Sequence, residues 1–527
     1  MARLDSLLAR LSKTRSGADP ALRLSLVEEI GREMSPDALE DILPLLLSPL
    51  VGGGPVGAAA ASTLEEALRH APASQFPALE DAARRGRPWY ALGTDAWGAL
   101  TPEALLARAP TASRTAYFGI ASFHPSGYVR EAAVRSLAKS RDVETLPFLL
   151  LRLNDWVSPV RVEAEGAVRD LEDAAPHSAW ARALPLLVGM RAQGRHRMPR
   201  LTERVARRLA SRPGGFWSSF PRRLDDRALE RAAHRLALEV GGEAAREGIE
   251  RAVASGDVLV RLRAARVLRS GALEAPEAEA ALLTDPSVGV RREVLLGRVE
   301  RDDDPEPALR AALLDPSAGV RSDARFFLSK RRGDVFDAAA VYRRALGDAL
   351  EVGTARGALG GLAETGLEAD AALTLGWLED DRPTVRAAAL RAVAALDSER
   401  AAPLVRDGLE AEAPAVAKEA VRLVSTGAVA GFDPEAVLSR AYLDGGPARS
   451  QAFRGVLDLP LWTRLPVLVR ALRSDPVRSR SALEAALRRV PSVFTQPTPA
   501  DLAALRSALE DAPSDVGRRV EDAVPGL

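Results

Sequence analysis

The sequence predicts an all-α protein that repeats one short helix pair about sixteen times. Three observations lead there. The first is a copied segment. Leu282-Leu283-Thr284-Asp285-Pro286-Ser287-Val288-Gly289-Val290-Arg291 returns as Leu313-Leu314-Asp315-Pro316-Ser317-Ala318-Gly319-Val320-Arg321, with the two aspartates 30 residues apart. The second is a helical apolar spacing inside each copy. Val160, Ala164, Val168 and Leu171 form one stripe of a 3.6-residue period, and Val129, Ala133, Leu137 and Val385, Ala389, Val393, Leu396 repeat it. The third is size and composition. A chain of 527 residues exceeds what one core can bury, while 5% aromatic content and few β-branched runs argue against sheets.

Aligning the chain on the Val-Arg position gives clear copies at Arg130, Arg161, Arg261, Arg291, Arg321, Arg386 and Lys418. Adjacent copies lie 30 to 32 residues apart, and the gaps of 100 and 65 residues accommodate three steps and two. Weaker copies fall near Arg23, Gly57, Thr94, Arg200, Arg231, Arg356, Arg449, Arg480 and Arg518. A polar break follows each such helix, and then comes a leucine-rich one such as Thr145–Leu153 or Ala308–Leu314.

Turn chemistry supports the pairing. Asp285 and Asp315 precede proline, which pushes them out of the α region and ends the helix before them. Their carboxylates are placed to accept the first free N–H groups of the next helix. Ser158-Pro159 offers a capping hydroxyl and a proline suited to a first turn. One offset recurs: Asp155 to Arg161, Asp285 to Arg291, Asp315 to Arg321 and Asp380 to Arg386 are each six apart, with Glu412 to Lys418 a variant. His124 stands where the acid before Arg130 is expected.

The Asp-Pro-x-x-x-Val-Arg turn, the six-residue offset and the 30–32 residue period resemble HEAT repeats, especially the short bacterial kind also found in phycobilisome lyases. The resemblance covers about 124–172 and 255–424. It implies a right-handed curved α-solenoid in which aspartate and arginine form a ladder between neighbouring units. The ladder residues would be Asp155, Arg161, Asp285, Arg291, Asp315, Arg321, Asp380 and Arg386. The expected organisation is divergent pairs over 1–120, repeats over 121–190, an irregular arginine-rich section over 191–250, regular repeats over 251–430 and divergent pairs with a cap over 431–527.

Charge and motif content narrow the function classes. Basic and acidic residues balance at 72 each, so no global field selects nucleic acid or an anionic membrane. The basic residues are nearly all arginine, with Lys13, Lys139, Lys330 and Lys418 the only lysines; with heavy Ala, Gly and Leu usage this points to a bacterial, GC-rich source. No cysteine is present, which removes disulfides and thiolate metal sites and fits a cytoplasmic location. The first residues, Met1-Ala2-Arg3-Leu4-Asp5, carry charge where a signal peptide needs apolar residues, and no apolar run approaches a membrane span.

Sites for chemistry are not evident. Gly52-Gly53-Gly54 lacks the Gly-Lys-Ser/Thr ending of a phosphate loop. His70, His124, His177, His196 and His234 are scattered, no hydrolase elbow surrounds a serine, and Asp302-Asp303-Asp304 reads as a solvated turn. No catalytic residue, metal or cofactor is expected.

Two irregular stretches invite a functional reading. Residues 191–235 hold 13 arginines against Glu203, Asp225, Asp226 and Glu230, with Phe216-Trp217 after the Pro213-Gly214-Gly215 break. Arg195, Arg197, Arg200, Arg204, Arg207, Arg208 and Trp217 are therefore the candidate partner-binding residues. The aromatics Trp89, Tyr90, Trp97, Tyr117, Phe118, Phe123 and Tyr128 are read mainly as core filling, and Pro491–Pro499 as a loop. The leading expectation is a non-enzymatic scaffold that binds another protein through a distributed surface. The alternatives are nucleic-acid binding through 191–235 and, from the lyase resemblance, a bilin lyase-like chaperone.

Overall fold

The computed structural model describes all residues except 1, 15–18, 36–37, 85–95, 193–197, 334–335, 493–494 and 525. Among the described residues there are 31 α-helices, several short 3-10 turns and no strand. The chain is all-α.

The helices divide between two compact units, Met1–Val294 and Leu295–Leu527. In the first, helices pack on their chain neighbours and on the like helix of the next pair, as in Gly127–Ser140 on Ser158–Ala174 and Leu146–Arg152 on His177–Ala192. The second repeats the scheme, with Val352–Thr365 on Pro383–Leu396, that helix on Pro414–Ser425, and Leu461–Ala471 on Pro499–Leu509. A lone pair cannot cover its apolar stripe, so every pair relies on its neighbours.

The Val-Arg helix of each clear copy starts where the alignment puts it. Arg130, Arg161, Arg261, Arg291, Arg321, Arg386 and Lys418 all sit in the first two turns of a helix, and the weaker copies other than Thr94 also fall on helices. Thr94, Trp89 and Tyr90 lie outside the described residues. Val160, Ala164, Val168 and Leu171 are all buried, as the spacing requires.

Local expectations meet two adjustments. Asp285 and Asp315 accept the N–H of Ser287 and Ser317 at 2.7 Å, which closes the turn ahead of the helix, while the Ala318–Arg332 helix has Ser317 at its N-cap with no side-chain bond. Ser158 is not a cap. The Ser158–Ala174 helix has Val157 at its N-cap with no side-chain bond, and Asp155 Oδ1 takes the Val157 N–H at 2.9 Å instead. The carboxylate reaches two residues ahead into a turn that the shorter hydroxyl, already inside the helix, cannot serve. At Gly52-Gly53-Gly54 the chain turns between two helices, with φ +76° at Gly53 and +64° at Gly54, a left-handed turn that glycine adopts without strain.

Candidate functional site

The repeat arginine has two jobs in this structure. Its Nη1 donates to the backbone carbonyl six residues earlier: Arg161 to Asp155 at 2.6 Å, and Arg291 to Asp285, Arg321 to Asp315 and Arg386 to Asp380 at 2.7 Å each. This bond, not a carboxylate contact, explains the constant offset. It ties the incoming turn onto its own helix, satisfying a carbonyl that no helix bond reaches.

The rest of the guanidinium faces the next repeat. Arg130 holds Asp155 with Nε at 2.8 Å and Nη2 at 2.9 Å, Arg261 holds Asp285 at 2.7 Å, and Arg231 holds Asp257 at 2.5 Å. Each carboxylate thus binds a backbone N–H two residues ahead, at the start of its own helix, and pairs with the arginine 24 to 26 residues before it. His124 fills the acid's place in a different way. Its Nδ1 accepts the Ser126 N–H at 3.0 Å while Nε2 lies 2.8 Å from the Trp97 carbonyl. Those partners require a neutral ring protonated on Nε2. Arg130 still takes the His124 carbonyl, at 2.9 Å.

In the second unit the scheme bends. Arg321 pairs with Glu364 on the Val352–Thr365 helix, where Gly360 leaves room for the guanidinium, and Arg325 joins the same carboxylate at 2.6 Å. Arg386 keeps its carbonyl bonds, whereas Glu412 and Lys418 are both exposed.

Residues 191–235 are less uniform than their charge suggests. Arg195 and Arg197 lie outside the described residues. Arg204 embraces Glu172 at 2.6 Å, and Arg208 donates to the carbonyls of Asp173 and Ala175, at 3.2 and 2.9 Å, at the end of the Ser158–Ala174 helix. Arg200 and Arg207 are exposed. Trp217 corrects its expected role. It is 1% exposed, its Nε1 donates to the Ala244 carbonyl at 2.8 Å, and it packs against Phe216, Phe220 and His234, so it cannot meet a partner. The indole supplies apolar area that the small alanines and glycines nearby cannot.

The aromatic stretch divides. Trp97, Tyr117, Phe118 and Phe123 are core, and Tyr128 is 78% exposed. The residue that sequence reasoning missed is Trp156. Its ring is 62% exposed, yet two guanidinium groups lie over it, Arg130 at 4.4 Å and Arg84 at 4.9 Å from the centroid. Arg84 is anchored in turn by the Phe123 carbonyl at 3.0 Å and Glu80 at 2.6 Å. Burial, with Arg152 and Arg130 close by, pulls Arg84 below its ordinary pKa despite Glu80. Trp156 is therefore an exposed aromatic held in one orientation by a buried charge network. Its signal in the sequence was its place, directly after the ladder aspartate.

Other surface apolar residues recur at a like position. Tyr128, Leu259 and Val288 sit in the first turn of an arginine helix, two or three residues before Arg130, Arg261 and Arg291, and Val477 does the same before Arg480 in the second unit. Among the described residues no cluster of His, Asp and Glu could hold a metal ion, and no helix is long and apolar enough to cross a membrane.

No family model matches the chain, and no curated protein matches it. Solved structures resemble it distantly. Kap121p bound to Pho4p is similar at 12% identity and TM-score 0.32, over 99% of this chain and 65% of that one. The S. pombe condensin Cnd3-Cnd2 subcomplex gives 14% identity and TM-score 0.32, over 97% and 75%, and yeast importin-beta (Kap95p) 14% and 0.26, over 96% and 81%. The chain spans just under two thirds of the Kap121p structures, 65% and 64%. Successively packed helix pairs fill both units.

Proposed function

We propose that this chain is a non-enzymatic scaffold that binds another protein, with Trp156 as the anchor of the contact surface. The carrying observation is the state of that side chain. A large ring left in solvent but fixed by two cations loses little freedom when a partner covers it, which is the profile of an interface hot spot. Tyr128 and Val162 extend the exposed apolar surface on two helices that pack together. The repeated first-turn residues would add weaker contacts along the array.

Arginine chemistry favours this reading over nucleic-acid binding. Most repeat arginines are committed to carbonyls and carboxylates, and Arg204 and Arg208 are too, which takes these guanidinium groups away from a phosphate backbone.

The test compares Trp156→Ala with Arg200→Gln/Arg207→Gln in affinity capture from the native host, with thermal unfolding as the folding control. A partner held by wild type and by the arginine variant, but lost by Trp156→Ala, supports the reading. A partner lost only by the arginine variant, or a duplex shifted in a low-salt gel, moves the function to 191–235.

A further inference from the structure

A second site lies apart from Trp156 in the first unit. Five helices surround a cavity of about 120 Å³: Gly54–His70, Phe76–Arg84, Arg114–Ala121, Leu146–Arg152 and His177–Ala192. Its walls are apolar, formed by Leu68, Phe76, Leu146, Phe148 and Ala179, with the two phenylalanine rings edge-to-face at 5.1 Å. An apolar void near 150 Å³ holds a benzene-sized guest, so this one has room for an aliphatic stem of about four carbons.

The polar side of the cavity carries Glu65, Asp142 and Glu144 together with Arg69 and Arg182. Glu65 Oε2 accepts the Ser113 hydroxyl and Asp142 Oδ2 accepts the Thr115 hydroxyl, each at 2.7 Å. Neither carboxylate has an ion-pair partner among the described residues. The two arginines that also line the cavity are drawn elsewhere, Arg69 to Glu66 at 2.5 Å and Arg182 to Glu144 at 3.2 Å. Asp142 Oδ1 also accepts the Glu144 N–H at 3.1 Å, and both half-buried carboxylates lie beside apolar side chains with no opposite charge paired to them, where a cation would gain most. Ser113, whose hydroxyl reaches Glu65, and Arg141, which precedes Asp142, have φ of +57° and +52°, the two left-handed non-glycine residues among those described.

We infer that this cavity binds an alkylammonium: an apolar stem seated between Phe76 and Phe148, its charged head between Glu65 and Asp142. An anion is repelled by the same pair, and a neutral apolar guest leaves both charges uncompensated. Two sources carry this chemistry, a free aliphatic amine and the lysine side chain of a peptide. The free-amine arm does not depend on Trp156 or on the scaffold reading.

Titration calorimetry on the full chain would compare n-butylammonium with 1-butanol, its neutral counterpart. Wild type should prefer the ammonium by at least about tenfold. Glu65→Gln/Asp142→Asn keeps both hydroxyl bonds and removes both charges, so the preference should fall below about threefold. Ala179→Leu fills the void and should abolish both ligands, a second check should the double variant fold poorly. A single-lysine peptide that binds more tightly than butylammonium assigns the source to a partner protein; one that binds more weakly assigns it to a small amine. Equal binding of butylammonium and butanol to wild type, or a preference retained in the double variant, overturns the inference.

Discussion

Arg130 grips Asp155 through two parallel hydrogen bonds of 2.8 and 2.9 Å, with both side chains shut away from solvent and the two residues 25 positions apart in the chain. The pair joins two successive repeats, and each partner has further duties. Arg130 also serves the carbonyls of His124 and Pro125, and Asp155 also receives Arg152 at 3.1 Å.

Removing one half of that pair leaves the other buried and unmatched. Arg130→Ala and Asp155→Ala should each lower unfolding free energy by about 3–5 kcal/mol, measured by denaturant titration. Arg130→Met/Asp155→Leu should cost clearly less than the sum of the single changes. Full additivity would mean the two side chains act separately.

Acid should loosen these junctions. Burial alone would raise Asp155, but Arg130 and the Val157 N–H outweigh it and hold the carboxyl below its usual range; Arg343 does so for Asp370 and Arg382 for Asp380. A depressed carboxylate contributes fully above its unfolded pKa of ~4 and loses the contribution as pH falls through the folded value. Thermal stability should therefore drop below about pH 4. Asp370→Asn should flatten part of that drop.

His234 should add a separate acid-sensitive window. Burial pushes it down to about 4, and the Arg251 and Arg263 charges add to that against a bond to the Gly248 backbone. The unfolded ring takes a proton near pH 6.5 and the folded one does not until about 4, so stability falls with pH across this interval. The loss amounts to about 3 kcal/mol. His234→Gln should remove that slope while leaving the limb below pH 4, as read by melting temperature against pH.

Glycine-to-alanine changes usually favour a helix, yet Gly357 should behave in the opposite way. A Cβ there would overlap the Leu314 carbonyl, and one at Gly361 would enter the Tyr342 ring. Backbone cannot step aside as a side chain can, so Gly357→Ala should destabilise by about 1–3 kcal/mol or more. A neutral or stabilising result in equilibrium unfolding would contradict the close approach.

Neighbouring arginines should part company. Arg208→Gln loses two bonds to the end of a helix and should cost about 1 kcal/mol, whereas exposed Arg207→Gln should stay within about 0.5 kcal/mol. Both are read from denaturant midpoints.

The features legible in the sequence were the ones made by near neighbours. A carboxylate bonding the N–H two residues ahead and a guanidinium reaching back six involve a single turn, so their spacing is written directly into the chain. The apolar stripes follow from helix geometry in the same way. Where a contact crosses between repeats, spacing helps only while an acid stands in register. After Arg321 the positions 24 to 26 residues on are Ala345, Leu346 and Gly347, and the partner becomes Glu364, reached across Gly360 on another helix.

The candidate site was read less well, for a related reason. Trp217 and Trp156 both stand among arginines, and composition ranks the first higher because its segment is more basic. Packing reverses the order, burying Trp217 beneath Arg251 and leaving Trp156 lifted on Arg84 and Arg130. The sequence by itself determined the helix pair, its period and its turn chemistry, since these depend on torsions and bonds within one repeat. Only tertiary structure decided which arginines were already engaged and which aromatic met solvent, because burial depends on the surface that the next helix happens to present.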